Sequence, residues 1–391
     1  MDWAHKELSG INLGDERLNK RSVKLLESFA SKPSASIPAA CGGWNETLAA
    51  YRFLGQDDIT WRDILQPHID CALTRSQSHP VVLCLQDTTE LDFNGQSIDG
   101  LGPLSYEAQR GMYLHPTFAV TPERLPLGVL DAWMWAREPK NADGERPGPS
   151  ESLRWREGYE RVAEYAETNP NTRWVYVADR EADILELMQR AHALGNPADW
   201  LIRAKHNRKL GQDEAQLWEQ VGQAKVLGEI QFYLPPRPGR QGRQVTQQLR
   251  SLRVRFADGG GGTFEVTALL ACEINPPEGE KAVEWRLLTN RLASTPDGAV
   301  ELIDWYRCRW EIEMFFNILK NGCKVEALQL SAMPRLELAL AFYMIIAWRI
   351  DSLMRLGRTC PEMDCEAVFE REEWQAAWLV ARKPLPDSRQ R

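Results

Sequence analysis

Three acidic residues stand where an α/β protein could use them for chemistry. Asp87 closes the apolar run VVLCLQD (81–87), Asp179 closes TRWVYVAD (172–179), and Glu313 lies within LIDWYRCRWEIEMFFNILK (302–320). Open α/β sheets place their sites beyond the carboxyl ends of their strands, so both aspartates are candidate ligands. Each also has a plain structural reading. Asp87, with two threonines, Glu90 and Asp92 close by, can be a turn former, and Asp179 can be a helix N-cap with Asp183 as a competing acid. Asp179 is preferred over Asp183 because a strand end holds a ligand more rigidly than the first turn of a helix. Around Glu313 the spacing is more informative. Tyr306, Arg309, Glu313 and Lys320 fall at roughly 0°, −60°, −20° and −40° on a regular helix, one narrow polar face. Cys308, Ile312, Phe315 and Leu319 fall near the opposite side and would fix that helix to a sheet. The plain alternative is an amphipathic helix with an Arg309–Glu313 ion pair.

Taken in order, DTTE, DREADI and Y-x2-R-x3-E-x6-K resemble the DDE transposases of bacterial insertion sequences, specifically the IS-four family and its Tn-five type branch with its YREK signature. WAHKELSGINLGDERLNKR and the later LAAYRFL extend the resemblance from residue 3 to about 375. The resemblance implies an RNase H-like core interrupted by a β-rich insertion and preceded by a small helical DNA-binding domain. It implies two Mg²⁺ ions, with Mn²⁺ as a substitute, held by Asp87, Asp179 and Glu313 and activating water or a 3′-hydroxyl for in-line attack on phosphorus. Tyr306, Arg309 and Lys320 would contact phosphates beside the cut. Trp285 would stack on a nucleotide flipped from the DNA end, against the alternative of a buried core tryptophan. Arg203, Lys205, His206 and Arg208 would touch the DNA end. The implied partners are double-stranded transposon ends and target DNA, engaged by a homodimer in a synaptic complex. One departure counts against that dimer: only 78 residues follow Glu313, where the family continues into a longer helical region. The expectation is therefore a mainly monomeric protein when DNA is absent. A truncated, catalytically silent remnant that binds transposon ends, or inhibits the full-length enzyme, is the competing reading. A generic nuclease or a carbohydrate-active enzyme would explain Asp87 and Asp179 but not the face around Glu313.

The elements that must position these residues change texture along the chain. Residues 1–70 read as helices, with Leu18, Leu25, Leu26 and Phe29 on one stripe and Arg17, Lys20, Arg21 and Lys24 on another face suited to a phosphate backbone. Residues 71–207 alternate buried strands with helices, the first part of an α/β core covered on both faces. Residues 208–280 look like an all-β insertion, with strand-like segments broken by PPRPGRQG and DGGGG. Residues 281–357 return to the core and carry the helix of Glu313. Residues 358–391 hold one short helix and a tail.

The whole composition sets limits. A chain of 391 residues with 43% apolar residues can bury a large core, and its net charge of −8 argues against a nucleic-acid partner unless positive charge is clustered. It is clustered: residues 230–257 hold six arginines (237, 240, 243, 250, 253 and 255) and no acid. Arg253 and Arg255, two apart on a strand, are expected to share a face toward the catalytic cleft. The eight scattered cysteines form no metal-binding or disulfide pattern. Leu338–Trp348 is too short to span a bilayer, so no membrane partner is expected. The N-terminus shows no export signal, which points to the cytoplasm.

Overall fold

The computed structural model describes residues 2–210, 215–236 and 241–381. Arg237 and Arg240 lie outside them, as does most of the C-terminal tail. Five helices come first: α1 (Asp2–Glu7), α2 (Glu16–Ser31), α3 (Ile37–Cys41), α4 (Trp44–Leu54) and α5 (Trp61–Ser76). Asp15 caps α2 by accepting from the Arg17 amide, and Thr60 and Asp63 form a reciprocal capping box on α5. Leu25, Leu26 and Phe29 of α2 are buried, as their stripe requires.

The strands then begin: β1 (Val81–Gln86), β2 (Thr89–Asp92), β3 (Gly102–Pro103), β4 (Arg110–Val120) and β5 (Pro126–Trp135). Next come α6 (Ser152–Thr168), β6 (Arg173–Ala178), α7 (Leu185–Ala193) and β7 (Asp199–Arg203). Strand β1 runs antiparallel to β4 and parallel to β6, and β6 runs parallel to β7. The resulting order β5–β4–β1–β6–β7, with an antiparallel half and a parallel half, is an RNase H-like core. Its central strands are buried on both faces, which is why they read as unbroken apolar runs.

Residues 208–280 begin with a two-strand ribbon, β8 (Lys209–Leu210) and β9 (Ala215–Gln216), and a helix, α8 (Leu217–Gln223). Strands β10 (Val226–Leu234), β11 (Arg243–Ala257) and β12 (Thr263–Glu273) follow, then β13 (Glu284–Thr289). The purely β texture read from the sequence thus misses α8. These strands also extend the core sheet: β13 pairs antiparallel with β7, so one sheet of eleven strands runs from β10 to β2.

After α9 (Pro296–Arg307) and α10 (Trp310–Asn317), the long α11 (Met333–Thr359) runs against α5, α2 and β5, and α12 (Arg371–Val380) ends the described chain. Helix α11 is buried on every side from Leu338 to Trp348, as a core helix must be. No described helix is long and apolar enough to cross a membrane. Helix α1 is tied to the core by a buried polar group. His68 Nε2 accepts from the Val129 amide at 2.9 Å, so Nδ1 carries the proton and donates to Glu7 at 2.5 Å, while Arg75 donates to the same carboxylate.

Candidate active site

The core places two of the three carboxylates through strand register alone. In the parallel pair β1/β6, Gln86 lies opposite Ala178, so Asp87 and Asp179 are the next residues on adjacent strands at their carboxyl ends. Strands in a sheet lie about 4.8 Å apart, which makes the two side chains neighbours. Asp179 precedes a short 3₁₀ turn but its carboxylate makes no cap hydrogen bond, so the N-cap reading does not consume it. Asp183 is spent elsewhere. It is buried, binds Arg208 at 2.5 Å and accepts from the Lys205 and His206 amides at 2.6 and 2.8 Å, pinning the loop after β7.

Glu313 arrives from α10, anchored by Ile312, Phe315 and Leu319, all fully buried, with Phe315 stacked on Phe118 at 4.6 Å. Each such side chain contributes about 1.5–3 kcal/mol of burial. The single regular helix expected from the spacing is interrupted twice. Around Cys308 and Arg309 the backbone tightens to i→i+3 bonds, Arg309 N to Tyr306 O and Ile312 N to Arg309 O, and residues 318–322 form a π turn. The face drawn at 100° per residue is thereby broken up. Tyr306, Arg309 and Glu313 still gather at the aspartates, whereas Lys320 turns to strand β2, donating to Glu90 O at 2.9 Å and pairing with Glu326 at 3.2 Å.

Arg309 is the hub of the site. Its guanidinium lies 2.5 Å from Asp87 and 3.6 Å from Glu313, is almost fully buried, and keeps Nε without a hydrogen-bond partner among the described residues. The Tyr306 hydroxyl donates to Asp179 at 3.2 Å. Burial pushes the Asp87 carboxyl up to about 6, against the pull of Arg309 and with a further push from Glu313 and Asp179. A buried carboxyl crowded by two further acids is what a divalent cation would relieve. All the donor oxygens are carboxylate, the hard set that Mg²⁺ and Mn²⁺ prefer. Among the described residues no three acidic, His or Cys side chains already close to ion-gripping distance. Arg309 supplies the compensating positive charge.

Beneath Asp87 lies a buried network that the sequence did not announce. Thr88 Oγ1 donates to His115 Nδ1 at 2.8 Å, His115 Nε2 donates to Gln86 Oε1 at 3.2 Å, and Gln86 Nε2 donates to Thr117 at 2.7 Å. Burial holds His115 neutral, down at about 3. Gly158 of α6 lies against this network, where a Cβ would come within 2.2 Å of Gln86 Oε1. Glu311 is a second residue the sequence reading missed. It is buried between Arg355 of α11 and Arg124. An acid at about 140° from Tyr306, beside the apolar stripe, was the available signal.

The remaining candidates divide. Trp285 is half-buried and stacks on Phe232 at 5.4 Å and 17°, so it is neither a deep core residue nor a free ring. Arg203 and Lys205 line a depression of about 470 Å³ with Arg180, Lys281, Arg286 and one acid, Glu284, which pairs with Arg286. Arg208 is committed to Asp183. Arg253 is held by Glu265, Thr267 and the Asn290 carbonyl, while Arg255 is exposed. Both line a depression with Arg208 and Lys209 whose described lining includes none of the three carboxylates. On α2, Arg17 pairs with Asp15, Lys20 with Glu16, and Arg21 and Lys24 share Glu46.

Comparison with known families agrees with this architecture. A model of the transposase DDE domain matches residues 160–349, a span that holds Asp179 and Glu313 and begins after Asp87. A transposase DNA-binding model matches residues 1–59, and a model of the Tn5 transposase dimerisation domain matches residues 345–390. A cryo-EM structure of a piggyBac transposase synaptic complex with hairpin DNA is remotely similar, at 9% identity and a TM-score of 0.43 over 97% of this chain and 76% of that one. The protein is a DNA transposase, an enzyme of the metal-dependent DDE class. Within that class the chain belongs to the Tn5-type family, with a DNA-binding and a dimerisation region flanking the DDE domain. The C-terminal segment, expected to offer too little for an interface, is the one that the dimerisation model matches. That match begins inside α11, which the sequence reading had assigned wholly to the core.

Proposed function

We propose that this transposase cuts DNA at the ends of an insertion sequence and joins the freed ends to target DNA, with Asp87, Asp179 and Glu313 holding two Mg²⁺ ions. What carries the reading is that strand register sets Asp87 beside Asp179, while Arg309 joins Asp87 to helix-borne Glu313 and Tyr306 binds Asp179. The bound ions would lower the pKa of the attacking hydroxyl and neutralise the leaving oxygen. In the first step a water oxygen attacks phosphorus and the bond to the 3′-oxygen breaks, leaving a 3′-hydroxyl. In the second, that hydroxyl attacks a target phosphorus and the target strand's own 3′-oxygen departs.

The chain's side chains set the geometry for both steps. Tyr306 holds Asp179 in one orientation through its hydroxyl. Arg309 faces Asp87 and Glu313, and would turn to a scissile-strand phosphate once bound ions take up those carboxylates. Lys320 holds strand β2 and adds a point charge beside it. Trp285, Arg203, Lys205, Arg208, Arg253 and Arg255 serve as further DNA contacts. The basic face of α2, Arg17, Lys20, Arg21 and Lys24, exchanges its exposed acids for phosphates. Such exposed pairs contribute little, so the exchange is cheap. Two copies of the chain bring paired ends together.

The test is cleavage of a duplex carrying the inverted repeats that flank the gene. The wild-type protein is expected to nick it in Mg²⁺ and to stop in EDTA. Glu313→Ala is expected to lose nicking while shifting the same duplex in a gel, because removing a metal ligand leaves the phosphate contacts in place. Undiminished nicking by Glu313→Ala would refute the site.

A further inference from the structure

We propose that His115 is a positioning residue of the reaction: through the Thr88 hydroxyl it holds Asp87 in place across a gap in the strand pairing, and so sets how tightly the site takes a divalent cation. The proposal rests on the reading of Asp87 as a metal ligand, and adds to it a buried residue of β4 that acts through its neighbour.

The gap is visible in the strand register. Gln86 lies opposite Thr117 at the end of β1, and Thr89 lies opposite Leu114 at the start of β2, so both strands keep one register against β4. Between them Asp87 and Thr88 belong to neither ladder, and in that register the residues facing them are Pro116 and His115. Proline has no N–H to give, so the pairing loses a donor opposite Asp87 itself. A metal ligand needs a fixed position, and here the backbone ladder does not supply one.

Thr88 and His115 bridge the gap. Residues directly opposite on antiparallel strands bring their Cβ atoms to about 4.5–5.5 Å, within reach of a side-chain hydrogen bond. The Gln86 carboxamide donates to Thr117 and turns its oxygen to His115 Nε2, which therefore carries the ring proton. Nδ1 is left as an acceptor, and the Thr88 hydroxyl donates to it at 2.8 Å. The Thr88 amide in turn donates to Asp87 Oδ1 at 2.9 Å, while Arg309 takes Oδ2. A displaced Thr88 thus carries the Asp87 carboxylate with it. The far end of this chain of bonds is rigid. Trp155 meets the His115 ring edge-on at 4.5 Å, and Gly158 lets α6 close on Gln86. Thr88 is only half-buried, so water can satisfy its hydroxyl, and the bond to His115 serves position more than burial. Groups that orient metal ligands carry about 10–100-fold in affinity or activity.

Two isosteres separate position from packing. Asparagine places its amide oxygen where Nδ1 stands and still accepts from Thr88, whereas glutamine places its amide nitrogen where Nε2 stands and keeps only the bond to Gln86. Each deletes one hydrogen bond of the same network. Mn²⁺ binding by the full-length protein on a pre-cut duplex ending at the flanking inverted repeat is read from loss of the free-ion EPR signal, with the duplex alone subtracted. The Mg²⁺ concentration that half-saturates nicking and the melting temperature in EDTA are measured alongside. His115→Asn is expected to stay within about threefold of wild type in both metal constants, and His115→Gln to be weaker by about tenfold or more at a similar melting temperature. Thr88→Val should match His115→Gln, and Thr88→Ser, which keeps the hydroxyl, should match wild type. Equal metal constants for His115→Asn and His115→Gln would overturn the proposal, as would wild-type constants for Thr88→Val. Asp87→Asn is the control: if it bound Mn²⁺ as tightly as wild type, the metal-site reading itself would fall.

Discussion

At the scale of single residues, Asp87 is held at a cost. Its carboxyl titrates at about 6, up from 3.8, chiefly because it is buried. A native-state pKa above the unfolded value means that the neutral acid is the one the fold prefers. Its contribution is fully present below about pH 4 and is lost as pH rises through about 6. The shift of about two units corresponds to roughly 2–3 kcal/mol. Denaturant unfolding in EDTA, without DNA, should therefore show the stability of wild type relative to Asp87→Asn falling by about that amount between pH 4 and pH 8. A pH-independent difference would contradict the buried, acid-crowded environment. Tyr306 acts more gently. Tyr306→Phe removes one hydrogen bond to Asp179, worth about 1 kcal/mol, and single-turnover nicking should slow by about fivefold.

At the scale of elements, the helical segment that carries Glu313 works because it is irregular. Tightening at Cys308 and Arg309 turns Arg309 onto Asp87, and the π turn at 318–322 lets Lys320 reach strand β2. The segment is also clamped from behind, where Glu311 of α10 is buried between Arg355 and Arg124. Breaking one side of a buried ion pair leaves the other charge uncompensated and costs about 3–5 kcal/mol. Glu311→Ala should cost that much in equilibrium unfolding, and replacing Arg355 by leucine in the same protein should restore a large part of it. Additive losses in the double variant would show that the two residues do not form a clamp.

At the scale of the whole molecule, DNA binding and dimerisation lie at opposite ends of the chain with the catalytic sheet between them. Helix α12 buries none of its residues and ends on Leu379 and Val380, which are 56% and 83% exposed. Apolar ends of this kind, inside the region that matches the dimerisation model, suit a contact between two copies. Leu379→Asp combined with Val380→Asp should abolish the paired-end complex in a native gel while single-end binding persists. If paired ends form as before, the interface lies elsewhere on α11 or α12.

The sequence by itself determined the parts that depend on local order. The double-sided apolar runs require buried central strands, and β1 and β6 are each followed at once by an aspartate. The motif order carried the family, and the apolar stripe of Ile312, Phe315 and Leu319 is buried as read, leaving Glu313 on the side of Arg309. Tertiary structure decided what depends on residues far apart. Asp183 looked like a rival to Asp179 until the loop after β7 folded onto it, and Arg253 looked like a free cation until Thr267 and Asn290 took its donors. Helical periodicity assumes a constant turn. It could not foresee that the turn would tighten between α9 and α10, where Cys308 meets the Pro122 carbonyl, or that Lys320 would go to Glu90 of β2. The network of Gln86, His115 and Thr117 was likewise invisible, because a strand's polar residues show their partners only once register sets Gln86 opposite Thr117.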